Sequence, residues 1–287
     1  MSGPRQTLVV TGASGFIGSH LCRIAAAGGW QVRAVSRKPI QLGADIDHNL
    51  VASYREVTTT EKEILVHLAG DNDASGALRE NDAAFEGTQV AHTFDGCAGR
   101  LIYASSSAIY ADTLSGRSTP ESPTRDTPYS RLKLAGEAAA RNAGAVIVRI
   151  ANVYGEGMAE NCVIADILRQ TAGAYSGPAH VRETSPVRDF IAVQDVANGL
   201  IAVAQGTTGG TFNLGTGTGT SVRALAALIL TQAGTPEREI AASSANIRRS
   251  QIVMDVEQTT ASFGWRPHIS LRQGIRSLIE GGNRWAA

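Results

Sequence analysis

Three cysteines stand in 287 residues: Cys22, Cys97 and Cys162. They are far apart and odd in number, so the chain encodes neither a disulfide framework nor a paired-cysteine metal site, and a reducing compartment is expected. An excess of one charge is missing too. Lys plus Arg and Asp plus Glu each number 26, for a net charge of zero, whereas a broad nucleic-acid face needs a basic surplus. No apolar run approaches the roughly 18 residues of a membrane span. The first residues lead straight into Leu8-Val9-Val10, without a charged start and a long apolar segment, so no signal peptide is expected. These absences point to a soluble, cytoplasmic protein that binds neither membrane nor nucleic acid.

Glycine is abundant. Its 31 residues follow no triplet period, which excludes collagen and assigns them to turns and close backbone approaches. The apolar share of 43% against 18% charged is that of a globular chain. At this length a protein buries roughly 75% of the surface that its unfolded chain exposes.

The first half alternates two periods. Thr7 to Thr11, Gln31 to Ser36, Glu63 to Ala69, Arg100 to Ala104 and Ala145 to Ile150 read as buried strands. Ile17 to Ala27, about 78–98 and about 129–143 read as helices. Strands alternating with helices predict a parallel sheet covered on both faces. After Ile150 the regularity weakens. Helical patterns cover 162–171, 195–204, about 221–234 and about 270–281, with a strand at 211–214. The expected organisation is a dinucleotide-binding domain over 1–151, with 187–212 returning to it. A smaller interleaved lobe, from 152–186 and 213–287, would bind substrate.

The turn Gly12-Ala13-Ser14-Gly15-Phe16-Ile17-Gly18 joins the first strand to the first helix. Gly12 permits a sharp turn, Gly15 lets backbone approach a pyrophosphate, and Gly18 lets the helix pack close to the sheet. The helix N-terminus adds free N–H donors and a positive dipole end. In this strand–turn–helix setting the glycines predict dinucleotide binding. At the end of the second strand an acidic residue would accept the ribose hydroxyls of NAD. Ser36, Arg37 and Lys38 stand there instead. Two cations suit a 2′-phosphate, so NADP is expected in preference to NAD.

Tyr129 and Lys133 are four residues apart in a helical stretch, so both side chains face one way. A phenol is a poor acid at neutral pH, and a neighbouring ammonium favours its phenolate. Such a pair exchanges a proton with a substrate oxygen while hydride moves at the adjacent carbon. The lysine also suits a bond to the cofactor ribose. Ser105-Ser106-Ser107 ends the strand RLIYA, at the sheet edge where open α/β sheets bind ligands. A hydroxyl there suits holding the substrate oxygen; periodicity alone does not single one out.

Taken in order, these motifs resemble the extended short-chain dehydrogenase/reductase family, in its sugar-nucleotide epimerase, dehydratase and reductase branch. The resemblance covers almost the whole chain: TGASGFIG (11–18), HLAG (67–70), YASSSAIY (103–110), YSRLK (129–133), RIANVYGEG (149–157), RDFIAVQDVA (188–197), NLGTGTGTSV (213–222) and a terminal GW-x-P. It implies a Rossmann-type doubly wound sheet and a homodimer formed through the helices near 81–98 and 129–143. It also implies a Ser-Tyr-Lys catalytic set, Ser106, Tyr129 and Lys133, with Ser106 chosen because it lies four residues before Tyr110. The implied cofactor contacts add Leu68, Ala69 and Gly70. Asp45 and Ile46, following a short strand, resemble the adenine-contacting pair. Ser107, Asn152, Arg188 and Arg249 lie where members of the family meet substrate, the last three at its diphosphate, which Arg forks suit.

Departures narrow the expectation. Sugar 4,6-dehydratases of the family carry Asp-Glu where Ser107 and Ala108 stand here, so elimination is not expected. Ala84 occupies a position usually held by asparagine, with Asn81 a turn earlier. Gly157 to Arg188 is shorter than in many members. The leading expectation is an NADPH-dependent 4-ketoreductase of a nucleotide-linked keto-deoxysugar. The alternative is a C4-epimerase resembling UDP-glucose 4-epimerase, which needs the same three residues but consumes no net reductant. A third reading is a dinucleotide-binding sensor without turnover; such relatives typically lose the Tyr-Lys pair, which this chain keeps.

Overall fold

A computed structural model describes residues 6–70, 82–113, 117–122, 124–171, 177–244 and 250–281. The first half contains β1 (Thr7–Thr11), α1 (Phe16–Ala27), β2 (Gln31–Ser36), β3 (Asp47–Leu50) and β4 (Glu63–His67). It continues with α2 (Asp82–Asp95), β5 (Arg100–Ser106), α3 (Pro128–Asn142) and β6 (Val146–Ile150). The second half holds β7 (Asn152–Tyr154), α4 (Val163–Thr171), β8 (Ala179–Val181), β9 (Val187–Ala192), α5 (Val193–Gln205) and β10 (Thr211–Leu214). Then come β11 (Gly219–Ser221), α6 (Val222–Gln232), β12 (Ile240–Ala242), β13 (Gln251–Ile252), α7 (Glu257–Phe263) and α8 (Leu271–Glu280).

Seven strands form one sheet in the order β10-β6-β5-β4-β1-β2-β3, every pairing parallel. The strand order reverses between β1 and β4, and α/β sheets bind their ligands outside the carboxyl ends of the strands at such a point. The sheet's inner strands are nearly continuous apolar runs, as burial on both faces requires. On one face Leu8, Val10, Val32 and Ile102 pack with Leu21, Val196 and Leu200 of α1 and α5. On the other, Val9, Leu65 and Ile147 pack with Val90 and Phe94 of α2 and Ala140 of α3.

The second half leaves this sheet and returns to it. β9 heads a small sheet with β11, β13 and β7, whereas α5 packs on α1 and β10 adds the seventh strand beside β6. A separate cluster of α4, α6 and α8 side chains, with Ile164, Leu168, Leu225, Ile229 and Ile275, forms the core of the lobe. Asp195 at the start of α5 accepts the backbone N–H of His268 and Ile269, which ties the tail to the central body. No helix among the described residues is long and apolar enough to cross a membrane.

The third strand lies where the sequence does not suggest one. β3 is DHNL, a polar strand at the edge of the described sheet, paired with β2. Hydrogen bonding to β2, rather than burial, makes it a strand, so no apolar alternation marks it. α2 and α3, the helices expected at a dimer interface, pack on each other within the chain, and Gly87 lets α2 approach the backbone of Ala135.

Candidate active site

The crevice between the carboxyl ends of β1 and β4 is built on glycine. Gly12 follows β1 with φ +71°, a conformation that costs most residues energy. A Cβ there would stand 2.8 Å from the backbone nitrogen of Ala69, so the end of β4 closes directly on the turn. Leu68 N–H donates to Thr11 O at 3.2 Å. Gly18 abuts Gly12 so closely that any side chain would collide with its carbonyl. Gly15 is the N-cap of α1, and no side chain caps that helix's first turn. Phe16 and Ile17, half-buried, begin the helix. This turn, with its glycines and a first turn left without a side-chain partner, fits the pyrophosphate of a dinucleotide.

Beside the turn lies a cavity of about 420 Å³ lined by Arg37, Tyr54, Ala69, Gly70, Glu86 and Gln89, among others. Arg37 extends over the Tyr54 ring, 5.4 Å from its centre. Lys38 is exposed. Ser36 is buried, and its hydroxyl is engaged inside the protein, donating to Lys38 O and meeting His48 Nε2 at 2.8 Å; its side chain faces the loop rather than the cavity. Asp45 and Ile46 require a correction. They come before β3, whose first residue Asp47 is level with Arg33 in mid-β2. That places them toward the amino ends of the strands, away from the glycine turn. The residues that follow β3 reach the crevice instead, where Val51 N–H donates to Ser36 O and Tyr54 lines the cavity. A polar edge strand hid this register from the sequence, which therefore did not place Asp45 and Ile46 before β3 or bring Tyr54 to the cavity.

Tyr129 and Lys133 are carried by α3. Thr127 caps this helix in a reciprocal pair with Ser130, and Pro128 occupies its first turn, a start signal visible in the sequence. The Lys133 ammonium lies 5.8 Å from the centre of the Tyr129 ring. Lys133 is 4% exposed, and its Nζ would be 3.3 Å from a Cβ on Gly70. The pair therefore borders the crevice at the end of β4.

Alternation along β5 separates the three serines. Ser105 turns inward and donates to Glu137 Oε1 at 2.6 Å. Ser107 is buried and opens a short 3₁₀ turn. Ser106 is half-buried, and its oxygen accepts the Ala108 N–H at 3.1 Å, which leaves its O–H available to donate. The turn packs on α3.

Toward the lobe, Asn152 on β7 donates through its amide to Asp189 O at 3.3 Å. Arg188 on β9 does not pair with its neighbour Asp189, whose carboxylate is taken by Thr216, Gly217 and Met254. Its guanidinium donates to Ser250 O and, at 2.7 Å, to Ser250 Oγ. Ser250 donates in turn to Asp112, which forms an ion pair with Arg125 at 3.0 Å. Arg188 thus reaches, through Ser250, the carboxylate that Arg125 pairs, and the charge of Glu183 acts on it as well. Arg249 and Asn81 lie outside the described residues. Sequence reasoning missed the Asp112–Arg125 pair and Glu86. For Glu86 a signal existed: a carboxylate on the same helical face as the apolar Val90.

The profile of the NAD dependent epimerase/dehydratase family matches residues 8–215. GDP-6-deoxy-D-mannose reductase of Pseudomonas aeruginosa is 27% identical over 300 residues, covering 96% of each chain. dTDP-4-dehydrorhamnose reductase of Mycobacterium tuberculosis is 30% identical over 216 residues, 71% of this chain and 67% of that one. Among solved structures, MoeE5 in complex with UDP-glucuronic acid and NAD is 25% identical, with a TM-score of 0.78, covering 96% of this chain and 98% of the other. With a parallel seven-stranded sheet, a glycine turn at its switch point and a Tyr–Lys pair beside it, the chain belongs to the NAD dependent epimerase/dehydratase family and is an enzyme of the short-chain dehydrogenase/reductase type.

Proposed function

We propose that the protein is an NADPH-dependent 4-ketoreductase of a nucleotide-linked keto-deoxysugar. The observation that carries the reading is the buried ammonium of Lys133 set beside both the Tyr129 ring and Gly70, at the crevice the glycine turn builds. The kinship with two curated reductases supports it. The cofactor, when bound, supplies hydride to the carbonyl carbon. Tyr129 gives its proton to the carbonyl oxygen, Ser106 holds that oxygen with its hydroxyl, and Lys133 favours the phenolate left behind. Gly12, Gly15 and Gly18 hold the pyrophosphate at the start of α1, and Leu68, Ala69 and Gly70 line the crevice. Arg37 and Lys38 bind the 2′-phosphate of NADP. Asn152, Arg188 and Arg249 hold the substrate diphosphate, with Ser107 near the sugar.

In this reading residues 1–151 with 187–212 bind the dinucleotide, and 152–186 with 213–287 form the substrate lobe. Two copies associate as a homodimer. A thermal-shift screen of nucleotide sugars with NADP and NAD tests the ligands, since a ligand at 100 times its Kd stabilises by about 2.7 kcal/mol. Tyr129→Phe is expected to lower kcat by about 10²–10⁴ while cofactor affinity stays near wild type. Unchanged turnover would reject the role. Recovery of an epimerised sugar with no net NADPH oxidation would replace the reductase with the C4-epimerase.

A further inference from the structure

Glu86 sits on the inward face of α2 and is 7% exposed. Carboxylates are rarely buried so deeply without a compensating charge. The cation across from it is Lys133. A Cβ built on Gly70 would stand 3.1 Å from Glu86 Oε1 and 3.3 Å from Lys133 Nζ. The two charges therefore face each other across one glycine, on the wall of the cavity that Gly70 and Glu86 line.

We propose that Glu86 is a positioning residue of the proton-transfer machinery. Its carboxylate faces the Lys133 ammonium across Gly70, offsets part of that positive charge at Tyr129, and so raises the pH at which the phenol gives up its proton. The proposal rests on the acid role of Tyr129 given above.

Among the described residues, Glu86 is the carboxylate set against Gly70 opposite Lys133. On α3, Glu137 is already matched by Arg149 of β6, at 2.8 Å. On β4, His67 bonds Thr11 at 2.8 Å, and burial, followed by the Lys133 charge, lowers its pKa to about 3, so it is neutral. On β5, the Tyr103 phenol is raised well above its ordinary pKa by burial first and Glu86 next, so it too is neutral. Asp82, Arg37 and Tyr54 also line the cavity.

Tyrosinate absorbance, taken as the difference between wild type and Tyr129→Phe over a pH titration, reads Tyr129 without substrate or turnover. The same difference is measured in a Glu86→Gln background. Gln keeps the shape and removes the negative charge, so the Tyr129 transition is expected to move to lower pH by about half a unit or more. The corresponding limb of the kcat–pH profile moves the same way, with KM for the sugar unchanged. A side chain that merely packs α2 leaves the transition where it was. That result, or a move to higher pH, overturns the proposal. Should Glu86→Gln fail to fold, Glu86→Met removes the same charge with an apolar chain of similar length and is expected to shift the transition in the same direction. A wild type that reduces no keto sugar discards the functional reading, whereas the titration still judges Glu86.

Discussion

At Gly12 a single hydrogen atom decides whether the crevice exists. Its positive φ alone costs a residue with a side chain about 1–2 kcal/mol, and a methyl there would press on the Ala69 backbone at 2.8 Å. Neither neighbour is the end of a flexible chain, so the contact is relieved only by moving β4 away from the turn. Gly12→Ala is therefore expected to lose more than that in stability and to weaken dinucleotide binding at least tenfold, measured by chemical denaturation and cofactor titration. Gly29→Ala is a useful contrast. It shares a positive φ, but nothing lies within 4 Å of its Cβ, so it is expected to cost stability and leave cofactor affinity alone.

Among the elements, α3 has the most exacting task, because it must hold Tyr129 and Lys133 at a fixed height above the sheet. Its anchor is Glu137, one turn beyond Lys133. That fully buried carboxylate accepts two bonds from Arg149 of β6, at 2.9 and 2.8 Å, and one from Ser105 of β5. Arg149 continues the network to Tyr110 and Pro120 O, and Tyr110 donates to Asn213 of β10 at 2.7 Å. Removing one partner of a buried pair strands the other charge. Glu137→Gln is thus expected to destabilise by about 3–5 kcal/mol, seen as a lower denaturant midpoint. Arg141→Ala removes only the half-exposed partner of the same carboxylate and is expected to cost at most about 1 kcal/mol.

The whole molecule carries its pH dependence in its centre. His67 is buried between β1 and β5, stacked on Tyr103 and edge-on to Phe94. Its pKa falls from 6.5 to about 3, through burial first and then the Lys133 charge. A histidine that protonates more readily unfolded than folded makes the unfolded state bind the extra proton. Stability is therefore intact above pH 6.5 and declines as pH falls from 6.5 toward 3, by up to about 1.4 kcal/mol per pH unit from this group. Thermal melts across that range are expected to show the decline, and His67→Gln is expected to flatten it. An equally steep decline in the variant would assign the effect to other groups.

The chain's local order is written in its residues. Short apolar runs mark β1, β2, β5 and β6. The glycines of 12–18 mark the turn, and the Thr127–Ser130 cap with Pro128 opens the helix that holds Tyr129 and Lys133. These signals are local, because hydrogen bonding and burial act within a few neighbouring residues. What the sequence could not settle depends on contacts between distant segments. DHNL becomes a strand only because β2 offers its edge, and this carries Asp45 and Ile46 away from the crevice. Ser36 turns inward because His48 and the Lys38 carbonyl are there to receive it. Glu86 meets Lys133 only because α2 and α3 lie against the same end of β4. Charges close in space but 47 positions apart in the chain leave no periodicity to read, and only the packed sheet decides which of them share a low-dielectric wall.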